Sequence, residues 1–538
     1  MTNAATATSY DEVPYLSMPF VETHPDRLAT VATMFGMTPA PPPVATCRLL
    51  ELGCAAGENL LALALTHPDA EFHGLDLSQR HVASARAASA RLGLSNVHVQ
   101  QMDLLDFPDD IEPFDFIVAH GVYSWVPAVV RDKILQICRR HLQPNGVAYI
   151  SYNVYPGWRL CGIVRDMLLY HVRQIVEPQE RISQALALLQ FMAAAVPPDV
   201  PTHQLFRQVL TNLQTQDSPA QLYHDYLEPV NEPVYFHEFA AHADRYGLQF
   251  LAEADVEEMQ TARFPADVAA VLEGFGDDVL QREQYLDFLK NRAFRRTLLC
   301  HREVRLDRNL RPERLTNMYL AAEVVCEKPA TESAASQPME FRRRGGMSGT
   351  TDHVLTQAAL RHVGASWPQC VSFPALVAAA ATERTSHGQG GLSAAASVQD
   401  LSHLAVNLLQ LYAAGMLELH VAPPPIATCV TARPVASPWA RFQIEQGRTV
   451  TNLRHQRVQM DPLARRLVWL MDGTRDRPQL LDELAEWVVR EGVSLPGSEA
   501  QPGSLQPISR AAIREILSQT LEDALQTAAN SSLLIAEP

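Results

Sequence analysis

The sequence predicts an α/β protein: a parallel sheet flanked by helices, extended by helical insertions and followed by smaller, mainly helical units. Three observations carry this. From Cys47 to Tyr152 short apolar runs alternate with helical patterns, as strands joined by crossover helices do. After residue 153 the alternation gives way to helical sequence rich in Leu, Gln and Ala. At 538 residues the chain exceeds one ordinary core, so three or four folding units of ~100–200 residues each are expected.

Strands are expected at 47–52 (CRLLEL), 71–75 (EFHGL), 97–101 (VHVQQ), 114–119 (FDFIVA) and 146–152 (GVAYISY). Helices fill the gaps at Asn59–Thr66, Ser78–Leu92 and Arg131–His141, the last closed by a turn at Pro144-Asn145-Gly146. Residues 160–226 read as a helical cap inserted behind this core. A helix at 235–247 stops on Gly247 and feeds an apolar run, 248–254, while 294–304 alternates again; these two segments are expected to complete the same sheet around a helical stretch, 256–292. A Pro-, Ser- and Ala-rich linker is expected at 329–346, a winged-helix-like unit at 347–425 whose wing is "MLELHV", and a helical unit at 436–538.

The net charge of −16 disfavours general binding to nucleic acid or to an anionic membrane, since both need a basic face. The run "FRRRGG" at 341–346 reads as a solvated linker charge run. Eight scattered cysteines without C-x-x-C, an N-terminus lacking an apolar h-region, and the lack of any window of ~20 apolar residues lead to the expectation of a reduced, cytoplasmic protein.

The chemistry is concentrated in "RLLELGCAAGENLLALAL", residues 48–65. Gly53, Ala55 and Gly57 make a G-x-A-x-G turn directly after a strand and before a helix, where small residues let a ligand approach backbone N–H groups. A dinucleotide turn is one residue longer, G-x-G-x-x-G. Asp76 ends the second predicted strand, 19 positions after Gly57, where a carboxylate can accept from a ribose diol. Met102 and Asp103 end the third, where an apolar side chain and an acid can face an adenine. All three positions fall at the carboxyl edge of the sheet, where open α/β folds bind ligands.

This ordered set resembles the class I S-adenosylmethionine-dependent methyltransferases over about residues 40–160. The resemblance implies a Rossmann-like sheet and S-adenosyl-L-methionine as cofactor. It places the methionine part on Glu51, Gly53, Cys54, Ala55 and Gly57, the ribose on Asp76 and Leu77, and the adenine on Met102, Asp103 and Leu104, with His120 alongside. Ala55 departs from the usual central glycine. Further stretches, "TSYDEVPY", "HPDRLATVATMFG", "HGVYSWV", "SYNVYPGW" and "TNLRHQRVQMDPLARRL", are similar to bacterial methyltransferases with a methyltransferase regulatory domain, here about 218–304. That family includes enzymes that methylate lysines of outer-membrane proteins.

On this reading residues 1–160 hold the cofactor and 161–305 form the insertion and regulatory segment. His120, Tyr123, Tyr155 and Trp158 are the candidate catalytic residues, because "HGVYSWV" and "SYNVYPGW" follow the fourth and fifth strands; methyl transfer needs alignment and a dry site but no metal. "LYHDYLEPVNEPVYFHEF", 222–239, is a candidate lid carrying Tyr223, His224, Tyr226, Tyr235 and His237, and Tyr10, Tyr15 or His24 could close over the cofactor. Cys54 reads as a packed side chain and not a nucleophile. The expected partner is a protein lysine or a small-molecule methyl acceptor, with neither nucleic acid nor membrane, and a homodimer is left open; a cofactor-binding interaction protein without turnover is the non-enzymatic alternative.

Overall fold

The computed structural model describes residues 8–15, 18–216, 219–326, 338–386, 397–493 and 509–536. The chain divides into two compact units, one comprising Glu22–Leu310 with the stretch up to Met18, the other beginning at Arg311 and taking in Pro19–Val21.

In the first unit seven strands form one sheet in the order β3-β2-β1-β4-β5-β7-β6. They are β1 (Arg48–Leu52), β2 (Glu71–Asp76), β3 (Val97–Gln101), β4 (Phe114–Ala119), β5 (Leu142–Asn153), β6 (Leu248–Glu253) and β7 (Phe294–His301). β1 to β5 pair in parallel, while β7 runs antiparallel between β5 and β6. The helices are α1 (Ser9–Glu12), α2 (Pro25–Met34), α3 (Glu58–Thr66), α4 (Gln79–Arg91), α5 (Ala128–His141), α6 (Trp158–Val172), α7 (Pro178–Ala195), α8 (Thr202–Gln216), α9 (Pro219–Leu222), α10 (Phe236–Arg245), α11 (Ala266–Glu273) and α12 (Val279–Lys290). Central strands read as unbroken apolar runs because side chains on both faces are covered: Leu49, Leu50, Leu52 and the whole of Phe116–Ala119 are buried. Gly247, at a φ of +72°, ends α10 as the sequence predicts.

One expected turn is part of a strand. Pro144-Asn145-Gly146 lies within β5, which starts at Leu142; Leu142 stands opposite Phe114 and Val147 opposite Phe116, so the three residues form an irregularity in the ladder. The insertion has its own core, in which Val164 and Leu168 of α6 meet Ile182, Ala185 and Leu189 of α7 and Phe206 and Val209 of α8.

The last two strands are fastened by a buried charge cluster. Arg295, 1% exposed, donates to Asp287 and Glu283 of α12 and to Glu253 of β6 at 2.7–3.2 Å, and its guanidinium lies 3.9 Å from the Phe236 ring of α10. Glu253 also accepts from Thr297 Oγ1 and from the Arg296 N–H. Every acid in the cluster has a cation or backbone donor, which is what allows charges at this depth.

The second unit departs from the expected boundaries. β8 (Tyr319–Ala321) and β9 (Val324–Cys326) lie before the linker predicted at 329–346, and β10 (Met339–Arg343), inside it, pairs with β9 and with β11 (Ser348–Thr351). "FRRRGG" is therefore strand and turn, not linker, although Arg342 and Arg344 are solvent-exposed as expected: Phe341 is buried, Arg343 pairs with Glu418 at 2.9 Å and Arg344 with Glu323 at 2.9 Å. Residues 329–337 of that linker lie outside the described residues. α13 (Val354–Ser366), α14 (Phe373–Ser386) and α15 (Val398–Ala413) accompany a small antiparallel sheet of β12 (Val371–Ser372), β8 and β13 (Glu418–His420). The expected wing strand is real, but its partner is β8, so this unit starts ahead of residue 347. Beyond it, α16 (Pro438–Glu445), the short hairpin of β14 (Val450–Thr451) and β15 (Arg457–Val458), α17 (Pro462–Leu470), α18 (Arg477–Glu491) and α19 (Arg510–Asn530) share another core, built on Leu467, Leu480, Leu484, Leu517 and Leu525.

Replacing Arg295 by Leu removes the central cation from three buried acids and leaves Arg292, 3.2 Å from Asp287, as the nearest one. Arg295→Leu is expected to destabilise the protein by about 3–5 kcal/mol in denaturant unfolding; a loss below about 1 kcal/mol would show that the cluster does not hold β6, β7 and α12 together.

Candidate active site

The carboxyl ends of β1 and β2 are joined through the glycine turn. Gly53 and Cys54 donate to Leu75 O at 2.8 and 3.0 Å, and Gly57 donates back to Cys54 O at 2.9 Å. Gly53, Ala55 and Gly57 all adopt positive φ, at 74°, 47° and 71°. A Cβ on Gly53 would sit 2.6 Å from Val122 Cγ2, which leaves glycine as the only fit. Ala55 takes the left-handed conformation at a cost of about 1–2 kcal/mol, offset by the hydrogen bond from its N–H to Asp76 Oδ2 at 2.8 Å. Cys54 is buried with its thiol pushed well up by desolvation, and Gly74 lies so close that a Cβ there would be 2.7 Å from Cys54 Sγ. It is packed, as the sequence suggests.

Glu51 and Asp76 are the two acids of this corner. Glu51 is 5% exposed; its Oε1 accepts from Asn59 Nδ2 at 3.2 Å, while Oε2 is buried and accepts no hydrogen bond from the described residues. Desolvation raises its pKa to about 8, with Asp76 adding and Asn59 opposing. Asp76 Oδ2 takes the Ala55 N–H and Oδ1 the Ser78 N–H at 2.9 Å, with His81 Nδ1 3.6 Å away. The acid expected to hold a ribose thus also holds the turn, so Asp76→Ala would loosen the loop as well. Leu77 is 53% exposed just beyond it. Next along the edge, Met102 N–H donates to Asp76 O, Asp103 is exposed with its carboxylate on the Leu105 N–H, and Leu104 is half-buried.

The N-terminal stretch is fixed to the same edge. Asp11 Oδ1 accepts from Ser78 Oγ at 2.5 Å and from the Arg80 N–H at 3.2 Å. Tyr10 stacks on His224 with centroids 4.3 Å apart and lies 6.2 Å from His81. His224 itself bridges Glu228 Oε1 at 2.7 Å and Val13 O at 2.6 Å. Tyr15 meets His224 edge-on at 5.6 Å. His24 is elsewhere, capping α2 through the Asp26 N–H.

At the ends of β4 and β5 the sequence candidates separate. His120 Nδ1 meets Tyr149 Oη at 2.9 Å, and the packing around its ring, with Arg296 nearby, pushes it down to about 3; it is neutral at physiological pH and a weak base. Tyr123 is core, not site lining: it is 1% exposed, packs on Phe239 and Tyr152, and engages His242 Nδ1 at 2.7 Å, with Asp132 on the other ring nitrogen. Its place two residues after Gly121 turns the ring inward beneath α10. Tyr155 and Trp158, by contrast, are partly exposed and have company: Trp125 lies edge-on to Trp158 at 6.2 Å, and Tyr235 lies 5.3 Å from Tyr155. Arg159 covers one face of Tyr155 at 3.9 Å.

Backbone pairing brings Tyr235 there. Val234 forms a parallel bridge with Val154, with Tyr155 N–H on Val234 O at 3.0 Å, and Glu232 N–H donates to Ser124 O at 2.8 Å. Asn153 Nδ2 donates to Asn231 Oδ1 at 3.1 Å, and Arg165 donates to the carbonyls of Tyr226 and Glu228. The proline-punctuated segment is hence stitched across β4 and β5. His237 is engaged by Gln284 and His224 by Glu228, which gives both structural partners. Sequence reasoning missed Asn59, Ser124, Asn153's partner Asn231, and Arg165. Asn59 alone left a signal, sitting in the first turn of the helix that follows the glycines.

A carboxyl whose pKa is raised by folding destabilises the fold once pH exceeds its ordinary value: at pH 4 Glu51 is protonated in both states, and the full cost is felt above pH 8. Glu51→Gln is therefore expected to raise the stability of the ligand-free protein at pH 8.5, by an amount on the order of a few kcal/mol, and to leave it nearly unchanged at pH 4. Thermal melts at the two pH values check this; equal shifts at both would contradict it.

Comparison with known proteins matches this geometry. Residues 44–195 match the family model "Methyltransferase domain", 218–301 "Predicted methyltransferase regulatory domain", and 432–533 "PKMT, C-terminal winged helix domain". The winged-helix match thus falls on the segment read from sequence as helical, whose two-residue strands β14 and β15 are too short to show a strand period. An uncharacterized protein of Rickettsia prowazekii (strain Madrid E) is 32% identical over 527 residues, 95% of this chain and 93% of its own length. The structure of PKMT2 from Rickettsia typhi in complex with AdoHcy superposes with a TM-score of 0.82 at 25% identity, covering 97% of this chain and 100% of that one; a second structure of PKMT2 has a TM-score of 0.85 at 24% identity over the same shares. With the glycine turn, the paired acids and likeness along nearly the whole chain, the protein belongs to the class I S-adenosylmethionine-dependent methyltransferases that carry a methyltransferase regulatory domain and a C-terminal winged helix.

Proposed function

We propose that the acceptor of this methyltransferase is the ε-amine of protein lysine. The observation that carries the reading is the presence of the partly exposed aromatic pairs Trp125–Trp158 and Tyr155–Tyr235 just after β4 and β5. The likeness to structures named PKMT2 supports it.

The residues of the corner fit S-adenosylmethionine. The buried Oε2 of Glu51 is an acceptor without a donor among the described residues, as the α-ammonium of the methionine part requires. We assign Glu51 and the turn Gly53–Gly57 to that part, Asp76 with Leu77 to the ribose, and Met102, Asp103 and Leu104 to the adenine. When bound, the cofactor supplies an electrophilic methyl group on a sulfonium. The protein's task is then to align an amine in line with it and to keep water out.

Only a neutral amine attacks. With a reference pKa of ~10.4, about one lysine in several thousand is neutral at pH 7. Aromatic rings that strip water from the amine favour its neutral form, and the same ring faces hold the methylated cation afterwards. His120, with its pKa near 3, is no strong base at neutral pH, so desolvation has to deliver the neutral amine.

Incubation with methyl-labelled S-adenosylmethionine and lysine-containing proteins is expected to yield N-ε-methyllysine on hydrolysis; label confined to small metabolites would reject lysine as acceptor. Trp158→Ala is expected to lower kcat/KM for the acceptor at least tenfold with cofactor affinity within about twofold, and equal losses in both would remove Trp158 from the acceptor wall.

Cofactor binding should also release protons. Glu51, with a pKa of about 8 without ligand, is mostly protonated at pH 7, and an ammonium against Oε2 favours its ionised form. Calorimetry at pH 7 in buffers of differing ionisation heat is expected to find release approaching one proton, lost in Glu51→Gln together with at least tenfold in affinity. Unaltered release in that variant would place the ammonium elsewhere.

A further inference from the structure

We propose that the acceptor polypeptide docks along an aromatic ridge on the outer face of α12, and that the occupant is an extended lysine-bearing segment with basic and aromatic residues around the lysine. The proposal rests on the lysine reading above and names where the rest of that substrate lies.

The ridge begins at the acceptor wall. Gly157 donates to Arg292 O at 2.9 Å, and a Cβ on Gly157 would come 2.3 Å from Asn291 O, so the end of α12 is pressed against the Tyr155–Trp158 turn. From Tyr235 the rings continue outward: Phe288 at 6.2 Å, then Tyr285 at 5.9 Å from Phe288, then Phe275 at 4.8 Å from Tyr285. These rings are wet. Phe288 is 48% exposed and Tyr285 43%, with Leu289 beside them at 49%.

Their exposure is imposed by the opposite face of the same helix. Glu283, Leu286 and Asp287 point inward, two of them to Arg295, so Tyr285, Phe288 and Leu289 at helical spacing are left outside. Three large apolar side chains within five residues on a solvent face mark an interaction surface better than a folding requirement.

Charge decides the partner. Asp267, Glu273, Asp277 and Asp278 are exposed next to the ridge in sequence, against one half-buried Arg282 in the first turn of α12, while Lys290 at its end is engaged by Glu258 at 3.0 Å. Acids flanking exposed aromatic faces repel an anionic membrane and favour cations, above all Arg and Lys carried on an apolar segment. Steps of 4.8–6.2 Å between neighbouring rings lie near the ~6.5 Å that separates same-face side chains of an extended chain. A segment laid on the ridge would thus place side chains on successive rings while its lysine enters the wall at Tyr155 and Trp158.

Three synthetic 15-residue peptides test this, each with one central lysine: one with alternating Arg and Phe on both sides, one with Ser at all those positions, and one with Glu in place of Arg. With the full-length enzyme the Arg/Phe peptide is expected to be used at least tenfold better than the Ser peptide, with the difference in KM, and the Glu peptide to lose most of that gain. In the double variant Tyr285→Ser/Phe288→Ser the preference is expected to fall below about twofold, with the Ser-peptide rate and cofactor affinity unchanged. Glu273→Lys/Asp277→Lys, which leaves the rings in place, is expected to reverse the ranking of the Arg/Phe and Glu peptides. Methylation of all three lysines with equal KM, or a preference that survives both double variants, overturns the docking surface alone. Normal cofactor binding with no methyllysine in any peptide overturns the lysine reading, and the docking proposal with it.

Discussion

The carboxylate of Asp76 receives the N–H groups of Ala55 and Ser78, and through them the first and second strands end at one fixed corner. That clamp offsets the left-handed conformation of Ala55, which stands between the left-handed Gly53 and Gly57. With it, the turn faces outward at the edge of the sheet, Glu51 is drawn beneath the first helix, and Ser78 is presented to Asp11. The glycine turn, Asp76, Ser78 and the N-terminal Asp11 are thus parts of one hydrogen-bonded assembly.

Burial gives that corner its electrostatic character. Glu51 is kept from water with one oxygen unpartnered among the described residues, which costs stability in the ligand-free fold. The Arg295 cluster is the counterpart, where each acid has a guanidinium donor and the gain is positional. It ties α12 to the antiparallel strands β6 and β7.

The placement of the candidate residues was legible because it is local. Gly53, Gly57, Asp76 and Met102 are marked by their distance from strand ends, and strand ends are marked by apolar runs. The position of Tyr155 and Trp158 just after β5 was legible for the same reason. Tyr123 shows the limit: one residue before a tight loop and one after it look alike in sequence, and only the packing of α10 decides that its ring turns into the core, onto Phe239 and His242. Asn231 and Arg165 gave no signal, since their roles depend on contacts made 78 and 61–64 positions away.

By itself the sequence determined the alternation of strands and helices, the glycine turn and the acids at successive strand ends, because each follows from periodicity or from a backbone conformation that few residues adopt, and the family resemblance these residues carry implied the cofactor. Tertiary structure alone decided the antiparallel insertion of β7 between β5 and β6, the pairing of β13 with β8, the burial of Phe341 within a stretch that reads as a basic linker, and the bridge that lays Val234 on Val154. Pairing of distant segments is set by which surfaces are left to be covered once the local elements exist, and no short window of residues carries that information.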